Sequence, residues 1–98
     1  MLISIDEKAL IWFTDEFGIN RPFYIRMFPQ YAGFGEKHKG YSLAFSAEVP
    51  ANAGFIQEQK GITFYVEGND TWFFEDTNTF LSYDERIKEL LVKYEGVH

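Results

Sequence analysis

One stretch of this chain has a helical period, and the residues after it alternate at period two or are broken by glycine. Ala9, Phe13 and Phe17 recur at intervals of four, with Leu10 beside them, which is the spacing of one face of a helix. Asp6 stands where an N-cap belongs, since a short carboxylate there accepts from backbone N–H groups two or three residues on. Ile5 and Leu10 have the spacing of a hydrophobic staple, and Gly18 supplies the C-terminal stop. The pattern predicts a helix over residues 6 to 17 with an aromatic stripe turned to the core.

The remaining apolar runs read as strands. Residues 2 to 5 (Leu-Ile-Ser-Ile) form a short one. Phe23, Ile25 and Met27 fall on one face of the next, with Tyr24, Arg26 and Phe28 on the other. Pro29 has no N–H to give to a ladder, so that strand ends or reaches a sheet edge there. Tyr41, Leu43 and Phe45 alternate with Ser42, Ala44 and Ser46. Residues 49 to 54 read as a connector. Phe55–Glu58 and Ile62–Glu67 flank Gln59-Lys60-Gly61, a hairpin signal with Gly61 available for a positive φ. Gly68-Asn69-Asp70 ends the second arm, and Phe80–Asp84 reads as a strand. Thr71–Phe74 is too short to type and fits a helical turn or a strand. From Asp84 to Glu95 helix formers meet a strand-like Leu91-Val92-Lys93-Tyr94. With no repeat or linker, residues 1–98 read as a single α+β domain, predominantly β, with one early helix against a mostly antiparallel sheet.

Composition narrows the function. Eleven Phe, six Tyr and two Trp make 19% of the chain aromatic, which lets so small a domain bury a core without disulfides or metal staples. The formal charge of −6 repels phosphate backbones and anionic lipid, so nucleic acid and membrane surfaces are not expected partners. The absence of cysteine removes disulfides, thiol nucleophiles and thiolate-held metal. No signal peptide or membrane span is read from the chain, and a cytoplasmic location is the expectation.

The glycine-bearing loop between the strands ending at Phe28 and starting at Tyr41 is the first place to seek a site. Tyr31, Gly33, Phe34, Gly35, His38 and Gly40 lie in it. Its glycine spacing matches no standard phosphate fingerprint. His38 lies between Lys37 and Lys39, whose charges disfavour a histidine cation; with nearby carboxylates it defines the alternative reading, a small-ligand or metal-binding site. Pairs such as Asp70 with Glu75 or Asp84 with Glu85 show no catalytic separation in sequence, and Ser42 and Ser46 lack a nucleophile-elbow context. No catalytic residue, metal ligand or cofactor is expected. The aromatics Tyr24, Phe28, Tyr41, Tyr65 and Trp72 lack the basic groove of a single-strand binder and point to an apolar interaction patch.

The order of elements resembles the HesB/IscA-like family, the A-type carriers of iron–sulfur cluster assembly. The helix from Asp6 to Phe17, the strand to Phe28, the loop Tyr31-Ala32-Gly33-Phe34-Gly35, the strand Tyr41–Phe45 and the run Gly61-Ile62-Thr63-Phe64-Tyr65-Val66 carry the resemblance. It implies a compact mixed or antiparallel sheet, a pseudo-barrel, with one N-terminal helix, and is nearest to a cysteine-free branch of small stand-alone proteins. Carriers of this family hold iron or a cluster with three cysteines. Phe34 stands where the first would fall, and the C-terminal pair has no counterpart in Tyr94-Glu95-Gly96-Val97-His98. The resemblance thus implies a connection to iron–sulfur biogenesis in fold but not in ligands. The expectation is a non-catalytic module that binds a protein partner or its own copy through an aromatic surface around the 31–40 loop.

Overall fold

A computed structural model describes residues 1–18, 23–33 and 40–96. Phe34, Gly35, His38 and the terminal His98 lie outside the described residues. The chain falls into two compact units, one of Met1–Asn20 with Phe74–His98 and the other of Arg21–Phe73. The expected class, α+β and predominantly β with one N-terminal helix, is observed, with two mixed sheets among the described residues.

In the first unit β1 (Leu2–Ile5) runs into α1 (Glu7–Phe17), and β6 (Thr77–Asp84) pairs with β7 (Glu89–Gly96). Asp6 caps α1 as its side chain predicts, accepting from the Ala9 N–H at 2.8 Å. Its own N–H donates to the Leu81 carbonyl at 3.0 Å, which joins the start of the helix to β6. Ile5 and Leu10 are both buried, in keeping with a staple. Gly18 ends the helix in the left-handed region at φ 63°, donating to the Thr14 carbonyl. The sheet order is β1-β6-β7, parallel then antiparallel. Register places Ile3 beside Thr79 and Ile5 beside Leu81, and all four are buried. α1, which packs on β6, contributes buried Ala9, Leu10 and Phe13.

The stretch with conflicting signals, 84 to 95, is a hairpin. Residues 85–88 turn, with Lys88 at φ 55°, and β7 then pairs with β6 over eight residue pairs without a bulge. Helix propensity there amounts to tenths of a kcal/mol per residue, and it yields to a ladder that pairs the backbone groups with which β6 and β7 face each other.

The second unit has the sheet order β3-β2-β5-β4, built from β2 (Phe23–Tyr31), β3 (Tyr41–Ser46), β4 (Ala53–Gln59) and β5 (Ile62–Glu67). β2 pairs antiparallel with β3 and parallel with β5. Ile25 and Met27 are buried as the alternation predicts, beside Ile62, Phe64 and Val66. The hairpin of β4 and β5 turns through Lys60 (φ 53°) and Gly61 (φ 81°), both positive as a tight two-residue turn requires. β4 starts at Ala53, so Ala53 and Gly54 belong to a strand and not to the connector, with a register shift between Ala53 and Phe55. A Cβ on Gly54 would stand 2.8 Å from Thr71 Cγ2 and 3.0 Å from Gly68 Cα, so a side chain would push away the segment packed there. That segment, Gly68–Phe73, is a 3-10 helix, which settles the ambiguity over 71–74 in favour of a helical turn.

Candidate protein-binding surface

Tyr31 closes β2 and Tyr41 opens β3 directly opposite. The N–H groups of Ala32 and Gly33 both donate to the Gly40 carbonyl, at 2.7 and 3.1 Å, and hold the end of β2 against the start of β3. Gly40 has φ 88°, and a Cβ there would lie 2.6 Å from Cε1 of Tyr31. The tyrosine ring thus lies against a backbone that only glycine leaves bare. Tyr31 meets Tyr41 edge to face at 5.5 Å, Tyr41 meets Trp72 at 5.6 Å, and Trp72 meets Phe73 at 5.8 Å. These rings run from an outer residue, Tyr31 at 71% exposed, through Trp72 at 41%, to a fully buried Phe73. An exposed ring fixed by rings beneath it loses little freedom on contact, which suits it as a binding anchor.

Of the six loop residues singled out in the sequence, the structure brings Tyr31, Gly33 and Gly40 together. The other three, Phe34, Gly35 and His38, lie outside the described residues. Of the further aromatics, Tyr24 is exposed, while Tyr65 is 1% exposed and belongs to the interior. The alternation hid this, because the Tyr65 face of β5 is covered in the fold.

Tyr65 borders a polar centre that the sequence did not reveal. Arg26 Nη2 donates to Asp70 Oδ2 at 2.8 Å, and its Nη1 lies 3.7 Å from Glu48 Oε2. The guanidinium carbon lies 4.7 Å from the centroid of the Phe28 ring. Tyr65 donates its hydroxyl to the Glu48 carbonyl at 2.8 Å. Glu67 accepts from the N–H groups of Ala51 and Asn52 at 3.2 and 3.1 Å. A cavity of about 210 Å3 opens between these groups. The hydrogen bond to Asp70 holds the Arg26 pKa above its ordinary value, against the opposing effect of burial. Burial raises the Tyr65 pKa, and the charges of Glu48 and Glu67 add to this. The phenol is therefore a donor and not a base near neutral pH, and the guanidinium stays charged. The group orders the 47–52 connector and the 3-10 helix around β2.

The carboxylates flagged in the sequence are engaged elsewhere. Asp70 binds Arg26, and Asp84 accepts from the Arg86 N–H at 2.9 Å. Ser46 donates to the Glu48 carboxylate. Among the described residues no group of three His, Asp or Glu side chains is placed to hold a metal ion. In the first unit, a cavity of about 350 Å3 has Ile11, Trp12 and Tyr83 along it, with Lys8 and Glu85 paired at 3.1 Å on its rim.

Architecture of this kind defines a protein of the A-type carrier fold. The chain superimposes on Escherichia coli SufA, described as involved in biosynthesis of iron–sulfur clusters, with a TM-score of 0.57 at 13% identity over 98% of this chain and 86% of that one. It matches IscA with its [2Fe-2S] cluster at 0.54 and 16% identity, over 97% and 82%. These likenesses extend to the fold alone. In sequence the chain is 34% identical over 95 residues, 97% of its length and all of the relative's, to the Bacillus subtilis (strain 168) protein named pyruvate dehydrogenase inhibitor, and it belongs to that protein's family. An uncharacterized protein of Staphylococcus saprophyticus, SSP1406, is 27% identical over 93 residues, 92% of this chain and 95% of the relative. No family model matches. The chemistry of the donor set does not fit a cluster, because 98 residues without a cysteine offer no thiolate to soft iron.

Proposed function

We propose that this protein is a docking inhibitor of pyruvate dehydrogenase: it binds the enzyme complex and lowers its rate, without chemistry of its own and without carrying a cluster. One observation carries the reading, the 34% identity across 97% of the chain to the Bacillus subtilis pyruvate dehydrogenase inhibitor. The ring series ending in Tyr31 supports it, since an exposed and buttressed aromatic suits a protein contact. In this reading residues 1–98 act as one cytoplasmic module and the SufA-like fold serves as a scaffold, its cluster role lost with the thiolates.

The test is a titration of the purified chain into the pyruvate dehydrogenase complex of the same organism, followed by NADH production. A concentration-dependent fall in rate is expected, and an unchanged rate at large molar excess overturns the reading. Tyr31→Ser, at a residue 71% exposed, is expected to weaken inhibition about thirtyfold, a hot-spot-sized loss, with the circular dichroism unchanged and the melting temperature lowered only by the loss of its ring contact with Tyr41. Anaerobic treatment with iron and sulfide is expected to give no cluster absorbance.

A further inference from the structure

β7 is an edge strand. The sheet order among the described residues is β1-β6-β7, so the side of β7 away from β6 presents ladder groups without a strand beside them. Natural sheets blunt such edges with prolines, bulges, short strands or isolated charges. β7 has eight residues, lacks proline, and pairs with β6 without a bulge. Its one positive charge is Lys93, and the sequence places a negative partner for it at a distance that symmetry can use.

Side chains of β7 divide by alternation. Glu89, Leu91, Lys93 and Glu95 are exposed, and Leu90, Val92 and Tyr94 are half-buried. When two copies of one edge strand pair antiparallel about a two-fold axis, facing residues share a sheet face, so the axis passes through a residue position. Centred on Lys93, the pairing sets lysine against lysine. Centred on Val92, it sets Glu89 against Glu95. Centred on Leu90, it sets Glu89 against Leu91. Centred on Leu91, it sets Leu91 against Leu91, Leu90 against Val92, and Glu89 against Lys93 twice. Centred on Tyr94, it sets Lys93 against Glu95 but faces Val92 with Gly96 and gives Leu90 and Leu91 no partner within the strand; the Leu91 register alone matches apolar with apolar on both faces and pairs every charge between residues 89 and 93. In the single chain Lys93 lies 3.4 Å from Glu95 with both side chains largely exposed; an ion pair so exposed holds it weakly.

We propose that β7 pairs antiparallel with β7 of a second copy, centred on Leu91, and joins two three-stranded sheets into one of six strands. The inference stands apart from the inhibitory role: it rests on strand register and charge order and holds whether or not the enzyme is a target.

The test is sedimentation velocity of the full chain across a wide concentration range, with charge-swapped variants. A dimer is expected for the native sequence. Glu89→Lys faces lysine with lysine at two symmetric positions and is expected to weaken the dimer about tenfold or more, since each cross-strand pair changes sign. The double variant Glu89→Lys, Lys93→Glu restores opposite charges and is expected to restore the dimer. Both residues are exposed, and unchanged circular dichroism and melting temperature report an intact fold. A native chain that stays monomeric at every concentration overturns the proposal and leaves the edge to a strand from another protein. A dimer indifferent to Glu89→Lys, or a double variant no better than the single, overturns it as well.

Discussion

The sheet around β6 and the sheet around β5 handle polar groups in opposite ways. Next to β6 the buried face is apolar, with Ile3, Ile5 and Leu81 around Thr79, whose Oγ1 is buried without a hydrogen-bond partner among the described residues. Next to β5 a guanidinium, three carboxylates and a phenol are gathered at Arg26, Asp70, Glu48, Glu67 and Tyr65, with Arg26 Nε buried and without a hydrogen-bond partner among the described residues. The first unit thus depends on burial and on the cap of its helix, and the second on burial plus a charged network that fixes a connector and a short helix. The same economy of size, in a chain without a cysteine to form a disulfide, is met by two physically different devices.

Truncating the interior of the second unit is the largest perturbation. Phe64 is fully buried, and Phe64→Ala is expected to cost about 3–5 kcal/mol, the usual loss for such a phenylalanine, read as a large fall in melting temperature or a failure to fold. Next comes the network. Asp70→Asn removes the charge from the 2.8 Å bond to Arg26, at about 2 kcal/mol for a hydrogen bond between charged groups, measured by urea denaturation. If that loss is near zero, the network is ornament and the contrast between the units fails.

Tyr65→Phe sharpens the contrast with pH. The variant loses one hydrogen bond to the Glu48 carbonyl, about 1 kcal/mol. The folded state holds the phenol proton to higher pH than the unfolded chain does. Folded molecules therefore bind more protons once the unfolded phenol titrates, near pH of about 10. Stability is then expected to fall as pH rises through and above that range in the native sequence, and Tyr65→Phe to lose that part of the fall. Asp6→Ala probes the first unit, where loss of the cap on Ala9 N–H is expected to cost about 1 kcal/mol. The smallest effect is expected for Thr79→Val, at a buried hydroxyl without a partner among the described residues. Its replacement by a methyl is expected to be neutral or to stabilise by less than about 1 kcal/mol, and a clear loss would show that Oγ1 is bonded in solution.

Legibility followed the range of the interaction. The helix, its Asp6 cap and Gly18 stop, and the Lys60-Gly61 hairpin were readable because each is specified within a few residues. The 84–95 segment was not, because its helix formers are overruled by pairing with β6, and alternation of Leu90, Val92 and Tyr94 shows its meaning only beside Leu81 and Thr79. The expected mixed or mostly antiparallel sheet is observed as two mixed sheets, each with one parallel pairing, Leu2 beside Asn78 in the first and Phe23 beside Ile62 in the second. At the candidate surface, Tyr31 and Gly40 were visible as a glycine-loop signal, whereas Trp72 came beside Tyr41 only through the 3-10 helix.

The sequence by itself determined the class of fold, the absence of thiolate chemistry and the local devices that start and stop α1 and turn β4 into β5, because periodicity, donor chemistry and capping are properties of neighbours along the chain. Only the tertiary structure decided which charges meet. Arg26 and Asp70 are 44 residues apart, and nothing in either local pattern marks the other. Closing that distance takes the parallel pairing of β2 with β5, whose stability comes from burying Ile25, Phe64 and Val66 together.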